Sequence, residues 1–113
     1  TLNASTTVYS ATGEVSGTGY TAGGVTVTNA TVPASSNTST TAGTAYWTPS
    51  ASITYTTVTL TTAFETVFIY NSTQSNKAVS VHTFGSQTIT AGTFTLTMPA
   101  NTTAAALLRI ATT

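Results

Sequence analysis

Five of the eight glycines of this 113-residue chain lie in one stretch, GEVSGTGYTAGGVTV, between residues 13 and 27. A glycine-rich loop can hold a phosphate group when it joins a strand to a helix, because the helix N-terminus then faces the anion. Here the glycines are followed by alternating valine and threonine, which predicts a strand, and the stretch contains no lysine. The stretch is therefore interpreted as a connection between strands that projects Tyr20.

The remaining side chains that could do chemistry are few and scattered. Glu14 and Glu65 are the only carboxylic acids, and they lie on distant segments, whereas glycosidases need two carboxylates that flank one bond. His82 shares a predicted strand face with Ser80, but nucleophilic catalysis also needs an orienting group, and a metal needs three or four ligands. The sequence therefore predicts a protein that is not an enzyme, with no catalytic residue, no metal site and no cofactor.

The formal charge is zero, because two acids balance Lys77 and Arg109. Two cations cannot form the basic patch that binds phosphates, so nucleic acid is excluded as a partner. No apolar run approaches the roughly 20 residues that span a bilayer, so a membrane-spanning segment is excluded as well. Glu65 is expected to pair with Lys77 or Arg109, or to meet solvent. A neutral surface provides little repulsion between copies, which favours a homo-oligomer or a larger assembly.

Threonine is the most frequent residue, with 32 copies, and its β-branched side chain prefers extended backbone. Seven or eight short segments alternate between apolar and polar residues and are separated by turn-forming residues, which is typical of antiparallel sandwiches. We therefore expect an all-β chain, with residues 1–113 as one domain: a single antiparallel β-sandwich, jelly-roll-like or immunoglobulin-like. The predicted core comprises Val25, Val27, Ile53, Tyr55, Val67, Ile69, Val79, Val81, Phe94, Leu96 and Leu108.

Local features refine these strands. The alternation changes phase between Tyr55 and Val58, which predicts a bulge near Thr56 and Thr57. Pro49 cannot donate to a sheet and should end the preceding strand. The predicted elements are strands at 5–10, 24–32, 44–50, 52–60, 63–71, 78–84 and 106–111, a polar turn at 71–77, and a hairpin through Ala91-Gly92 between 87 and 99. The segment from Phe64 to Tyr70 has apolar residues on both faces and is predicted to be a central, purely structural strand.

Three stretches resemble a group of small structural proteins encoded in the genomes of tailed bacteriophages, among them phages of cyanobacteria. The most specific is the run Y-x-x-x-x-E-V-x-G-x-G-Y-x-x-G-G from Tyr9 to Gly24, and FIYNSTQSNKAVSVHTFG and GTFTLTMPANTTAAALLRIA complete the similarity. Members of the group have an additional strand ahead of the region that starts at Thr1. The resemblance therefore implies that this strand is missing from the sequence, is removed by processing, or is donated by a neighbouring chain.

The resemblance implies a virion protein on the surface of a phage particle, assembled in the host cytoplasm. We expect a capsid decoration protein, whose partners are the major capsid protein or other virion proteins. The alternative is an adhesive module of a tail or head fibre that binds host glycans through Tyr20, Tyr46 and Trp47. Partner contacts are expected in the glycine-rich loop 13–24 and the polar stretch 33–44. The residues predicted to make them are Gly17, Gly19, Tyr20, Gly23, Gly24, Tyr46 and Trp47.

Overall fold

The computed structural model of the chain describes residues 2–31, 34–35 and 43–111. These residues contain five strands and no helix. The strands are β1 (Ala34–Ser35), β2 (Thr44–Trp47), β3 (Ile53–Asn71), β4 (Lys77–Leu96) and β5 (Leu108–Ala111). One sheet has the order β1-β2-β5, and a second consists of β3 and β4. The all-β class and the antiparallel pairing are as predicted, whereas five strands are fewer than the seven or eight expected.

The contacts divide the chain into two units. The first contains the described residues up to Gly24 together with Tyr55–Thr93, and the second contains the described residues of Val25–Thr54 together with those from Phe94 onward. The assignment of residues 1–113 to a single domain therefore stays a prediction.

The turn between β3 and β4 follows from its asparagines. The Asn71 side-chain oxygen accepts hydrogen bonds from the backbone N–H and the hydroxyl of Thr73, at 3.0 and 2.8 Å. Ser75 and Asn76 then adopt φ values of 54° and 57°, a region that asparagine tolerates better than most residues. The predicted polar turn is confirmed, and because it is short, β4 returns antiparallel to β3.

The predicted phase change in β3 is also confirmed. Thr57 has a φ of 53°, so the strand is irregular at the expected place. Before it, Ile53 and Tyr55 are half-buried, and after it Val58 and Leu60 are buried, with 0% and 2% of their surface exposed. The irregularity transfers the buried positions from odd to even residue numbers, as one extra residue in a strand does.

Four predicted elements are wrong. Ala91 does have a left-handed φ, 46°, but β4 continues through it, and the Ala91 N–H donates to the Thr59 hydroxyl at 3.0 Å. A left-handed residue is compatible with an irregularity inside a strand as well as with a hairpin turn. The segments 5–10 and 24–32 form only isolated bridges, Val8 with Lys77 and Asn29 with Pro49. The segment from Phe64 to Tyr70 is not central, because its sheet has two strands in the described part of the chain.

The buried core is smaller than predicted. The buried hydrophobic residues of the described chain are Val58, Leu60, Ile69 and Ala106, so only Ile69 of the predicted core lies in this class. Val25 and Val79 are exposed, at 50% and 43%, and the prediction was wrong for both. The other predicted core residues are half-buried. The two-stranded sheet explains part of this result, since two strands alone cannot enclose a core.

In the second unit, β2 pairs antiparallel with β1 and β5, with Trp47 opposite Leu108 and Thr44 opposite Ala111. The strand ends before Pro49, as predicted, and Pro49 is buried. Thr48, between them, is 1% exposed, and its hydroxyl accepts a hydrogen bond from the Leu107 N–H at 2.9 Å. The buried hydroxyl therefore has a partner, and the bond ties the end of β2 to the start of β5.

Candidate functional site

Three donors converge on the carboxylate of Glu14 in the first unit. The Tyr9 hydroxyl donates to Oε2 at 2.7 Å, and the Tyr20 hydroxyl and the Gly23 N–H donate to Oε1 at 2.6 and 2.8 Å. The Tyr70 hydroxyl donates to the Gly23 carbonyl oxygen at 2.9 Å. These five residues are called the Glu14 cluster below. The cluster closes the glycine-rich loop on itself and joins it to β3 through Tyr70.

Aromatic rings hold the same loop against β3. The rings of Tyr9 and Tyr70 are stacked, with centroids 4.5 Å apart and planes within 10°. Tyr20 lies against Tyr55 at a centroid distance of 5.4 Å and a tilt of 44°. Aromatic pairs at these distances stabilise a fold beyond the area they bury. Tyr9 and Tyr20 therefore each contact one β3 tyrosine with the ring and Glu14 with the hydroxyl.

Two glycines allow the loop backbone to approach β3 closely. A Cβ atom at Gly17 would lie 1.9 Å from the Thr59 carbonyl oxygen, so no side chain fits there. At Gly19, where φ is 78°, a Cβ atom would lie 2.9 Å from the Thr57 carbonyl oxygen. Between them, Thr18 forms a bridge with Thr59, whose N–H donates to the Thr18 carbonyl at 2.9 Å. The glycine spacing is thus required by direct backbone contact with β3.

The hydrogen bonds shift the pKa values of the groups in the cluster. Burial opposes ionisation of Glu14, but the hydrogen bonds from Tyr20, Tyr9 and the Gly23 N–H together hold its pKa below the ordinary value. The bond to the Glu14 carboxylate raises the pKa of Tyr9 to about 12. Burial, with the same carboxylate, raises the pKa of Tyr20. At neutral pH Glu14 is therefore a carboxylate, and the hydroxyl groups of Tyr9 and Tyr20 are protonated.

The raised tyrosine pKa values predict an alkaline titration that depends on folding. Tyrosinate absorbance near 295 nm should rise up to pH about 12 in the folded protein, and it should be complete at lower pH in urea, where the ordinary value of 10.0 applies. Because the folded pKa is raised, the corresponding stability is present below pH 10 and is lost as the pH rises through about 12. Identical titration curves for the folded and unfolded protein would contradict this prediction.

The structure brings together part of the predicted contact set. Gly17 and Gly19 contact β3, Tyr20 and Gly23 belong to the Glu14 cluster, and a Cβ atom at Gly24 would lie 3.7 Å from the Tyr55 hydroxyl. Their predicted role in partner contact stays a prediction.

Tyr46 and Trp47 lie on β2 and belong to the second unit. The glycine-rich loop belongs to the first unit. The Trp47 Nε1–H donates to the Asn29 side-chain oxygen at 2.5 Å. Most of the polar stretch 33–44, also predicted to contact partners, is outside the described residues.

Sequence reasoning missed the tyrosines of β3 and the role of Glu14. The signal was present in part, because the spacing Y-x-x-x-x-E from Tyr9 to Glu14 and the following Tyr20 belong to the motif quoted above. Tyr55 and Tyr70 could not be identified as partners, because each lies far along the chain from the loop.

Two of the side chains considered for catalysis, His82 and Glu65, lie on β4 and β3. The His82 Nε2 atom lies 2.9 Å from the Ser80 Oγ atom, and both residues are on β4. Among the described residues, no further hydrogen-bond partner orients the His82 ring. No group of three His, Cys, Asp or Glu side chains that could hold a metal ion occurs in the described part of the chain. Glu65 is exposed on β3, and the Arg109 guanidinium donates to the carbonyl oxygens of Thr103 and Ala104. The best-built cluster, around Glu14, has both carboxylate oxygens engaged.

Comparison of the chain with protein-family models, with curated proteins and with solved structures found no match. Among the described residues, no helix is long and apolar enough to cross a membrane.

Proposed function

We propose that this chain is a non-enzymatic structural protein of a bacteriophage particle, where it decorates the capsid surface and stabilises it. The proposal rests on the contacts that the motif from Tyr9 to Gly24 makes in the structure. The resemblance to phage proteins depends on the same motif. Its glutamate, both tyrosines and four of its glycines contact one another or β3. A motif whose residues are engaged in fixing a loop to a strand supports a structural role.

The small core supports the proposal that the chain functions as part of a larger assembly. Only four hydrophobic residues of the described chain are buried, while Val8, Val25, Val79 and Ile110 are exposed, Ile110 at 77%. Apolar burial is the main favourable contribution to folding, and a small domain without disulfides gains stability by association. The chain has no cysteine. Contacts with the capsid protein and with other copies would bury the apolar side chains left exposed in the single chain.

The finer fold prediction belongs to this proposal. We infer that in the particle the chain completes a single antiparallel β-sandwich of seven or eight strands. The isolated bridges at Val8 and Asn29 support this, since both lie in segments whose alternation predicts a strand. A neighbouring chain that pairs with these segments would extend each bridge into a strand.

The test of the proposed function is the amount of this protein in purified particles. A decoration protein should be present in constant and high proportion to the major capsid protein, measured by quantitative mass spectrometry or a stained gel. Removal of the protein should lower the temperature at which particles release their genome. Complete absence from washed particles, or particles of unchanged stability without it, would contradict the proposal.

The same measurement separates the alternative function. A fibre module that binds glycans would be present in low proportion to the capsid protein and in constant proportion to a fibre protein. Replacement of Trp47 by alanine would then reduce adsorption to host cells. In a decoration protein, the same replacement should leave adsorption unchanged, because attachment to the host does not use the capsid surface.

A further inference from the structure

We infer that two copies of this chain pair through the outer edge of β4, the edge that faces away from β3, and form one continuous antiparallel sheet. This inference rests on the proposed function, because it names the surface through which copies on a particle associate. The outer edge is defined here as residues 78–90 of β4. The occupant of this edge is the same edge of a second copy, related by a two-fold axis.

The outer edge begins where a short pairing ends. Val8 bridges Lys77, the Ala78 N–H donates to the Thr7 carbonyl at 2.9 Å, and the Tyr9 N–H donates to the Asn76 carbonyl at 2.9 Å. Beyond Ala78, no described strand other than β3 pairs with β4. An open groove of about 560 Å³ is lined by the N-terminal segment and by this part of the strand. The groove is lined by residues of the first unit, among them Leu2, Thr6, Val79 and Val81.

The direction of the main-chain groups on this edge follows from Ala78. Successive residues of a strand direct their N–H and C=O groups to opposite sides. Because the Ala78 N–H points to the outer edge, the N–H groups of Ser80 and His82 point to the same edge. Ser80 and His82 therefore present main-chain donors and acceptors at this edge that an added strand can use.

The residue types do nothing to prevent such pairing. Natural sheets protect their edges with charged residues or proline, and β4 has neither between Ala78 and Leu96. His82 is the one titratable side chain in that range. The same edge of a second copy is also uncharged. Antiparallel pairing about a two-fold axis therefore places no like charges opposite each other.

The length of the edge is sufficient for a dimer. Thirteen residues from Ala78 to Thr90 extend over about 44 Å, at roughly 3.4 Å per residue. With a sheet about 10 Å thick, two copies together would bury on the order of 1,000 Å², near the lower limit for a specific interface. Val79, which is 43% exposed in the single chain, lies on this segment.

The inference is tested with proline at one outward N–H. The variant Ser80→Pro removes this donor in each copy, and Ser80→Ala is the matched control that keeps it. Sedimentation equilibrium of the wild type should show a dimer, and Ser80→Pro should weaken the dimer about 30-fold, since two main-chain hydrogen bonds are lost. Ser80→Ala should dimerise as the wild type does. A monomeric wild type at 100 µM protein, or equal dimerisation of the proline and alanine variants, would overturn the inference.

A second pair of variants keeps the test valid if the proline variant does not fold. Thr83 and Gln87 are exposed on β4, and both are replaced by lysine in one variant and by glutamate in the other. Each variant alone should be monomeric at low salt, because like charges oppose each other across the pair. An equimolar mixture should restore the dimer. Dimers of either variant alone, with no gain on mixing, would overturn the inference.

The outcomes for this surface and for the proposed function are separate. Abundant protein on purified particles, together with a monomeric wild type in solution, would overturn pairing through β4 and leave the proposed function standing. A dimer that is disrupted by Ser80→Pro, together with absence of the protein from particles, would support pairing and overturn the proposed function.

Discussion

A Gly17→Ala variant is expected to lose about 3 kcal/mol or more of unfolding free energy. The added Cβ atom would lie 1.9 Å from the carbonyl oxygen of Thr59, and that oxygen belongs to the backbone of β3, which cannot rotate away as a side chain can. Either the loop moves off β3 or the strand bends. Both responses break the hydrogen bond from the Thr59 N–H to the Thr18 carbonyl. Urea unfolding followed by circular dichroism measures the loss.

Gly85→Ala is the matched control for this substitution. A Cβ atom at Gly85 on β4 would meet nothing within 4 Å, and its backbone is not in the left-handed region. The control should therefore unfold within about 0.5 kcal/mol of the wild type, as surface substitutions usually do. Equal unfolding midpoints for Gly17→Ala and Gly85→Ala would show that the close contact with Thr59 does not stabilise the fold.

A Glu14→Gln variant is expected to be less stable by about 2 kcal/mol at neutral pH. Glutamine retains one acceptor oxygen, so its amide group faces a donor either on the Tyr9 side or on the side shared by Tyr20 and Gly23. This expected loss of stability is at the low end of the range for hydrogen bonds to a charged group, because Glu14 is only half-buried. Glu65→Gln, on an exposed side chain of β3, is the control and should change stability little. Unfolding midpoints in urea at pH 7 measure the difference.

The same variant predicts the response to acid. The folded pKa of Glu14 lies below its ordinary value of 4.5, so its contribution to stability is fully present above that value and is lost as the pH falls through the folded pKa. The difference in stability between the wild type and Glu14→Gln should therefore shrink below pH 4.5. A difference that stays constant down to pH 2 would contradict the role of the ionised carboxylate.

The sequence by itself determined the features that depend on residues close together in the chain. Threonine content and period-2 alternation predict the all-β class, and the phase change in β3 locates the irregularity at Thr57. The turn after Asn71 and the end of β2 before Pro49 follow from the hydrogen-bonding capacity of single residues. In each case the physical cause acts over a few residues, so the sequence pattern is sufficient.

Only the tertiary structure decided which apolar residues are buried and what the glycine-rich loop contacts. Alternation predicts that Val79 and Ile69 each lie on one face of a strand, but whether another element covers that face depends on distant segments. Tyr9 stacks on Tyr70, which lies 61 positions later in the chain, and no local rule indicates this pairing. The motif from Tyr9 to Gly24 could be recognised in the sequence, whereas its function as a loop fixed to β3 required the contacts that folding brings together.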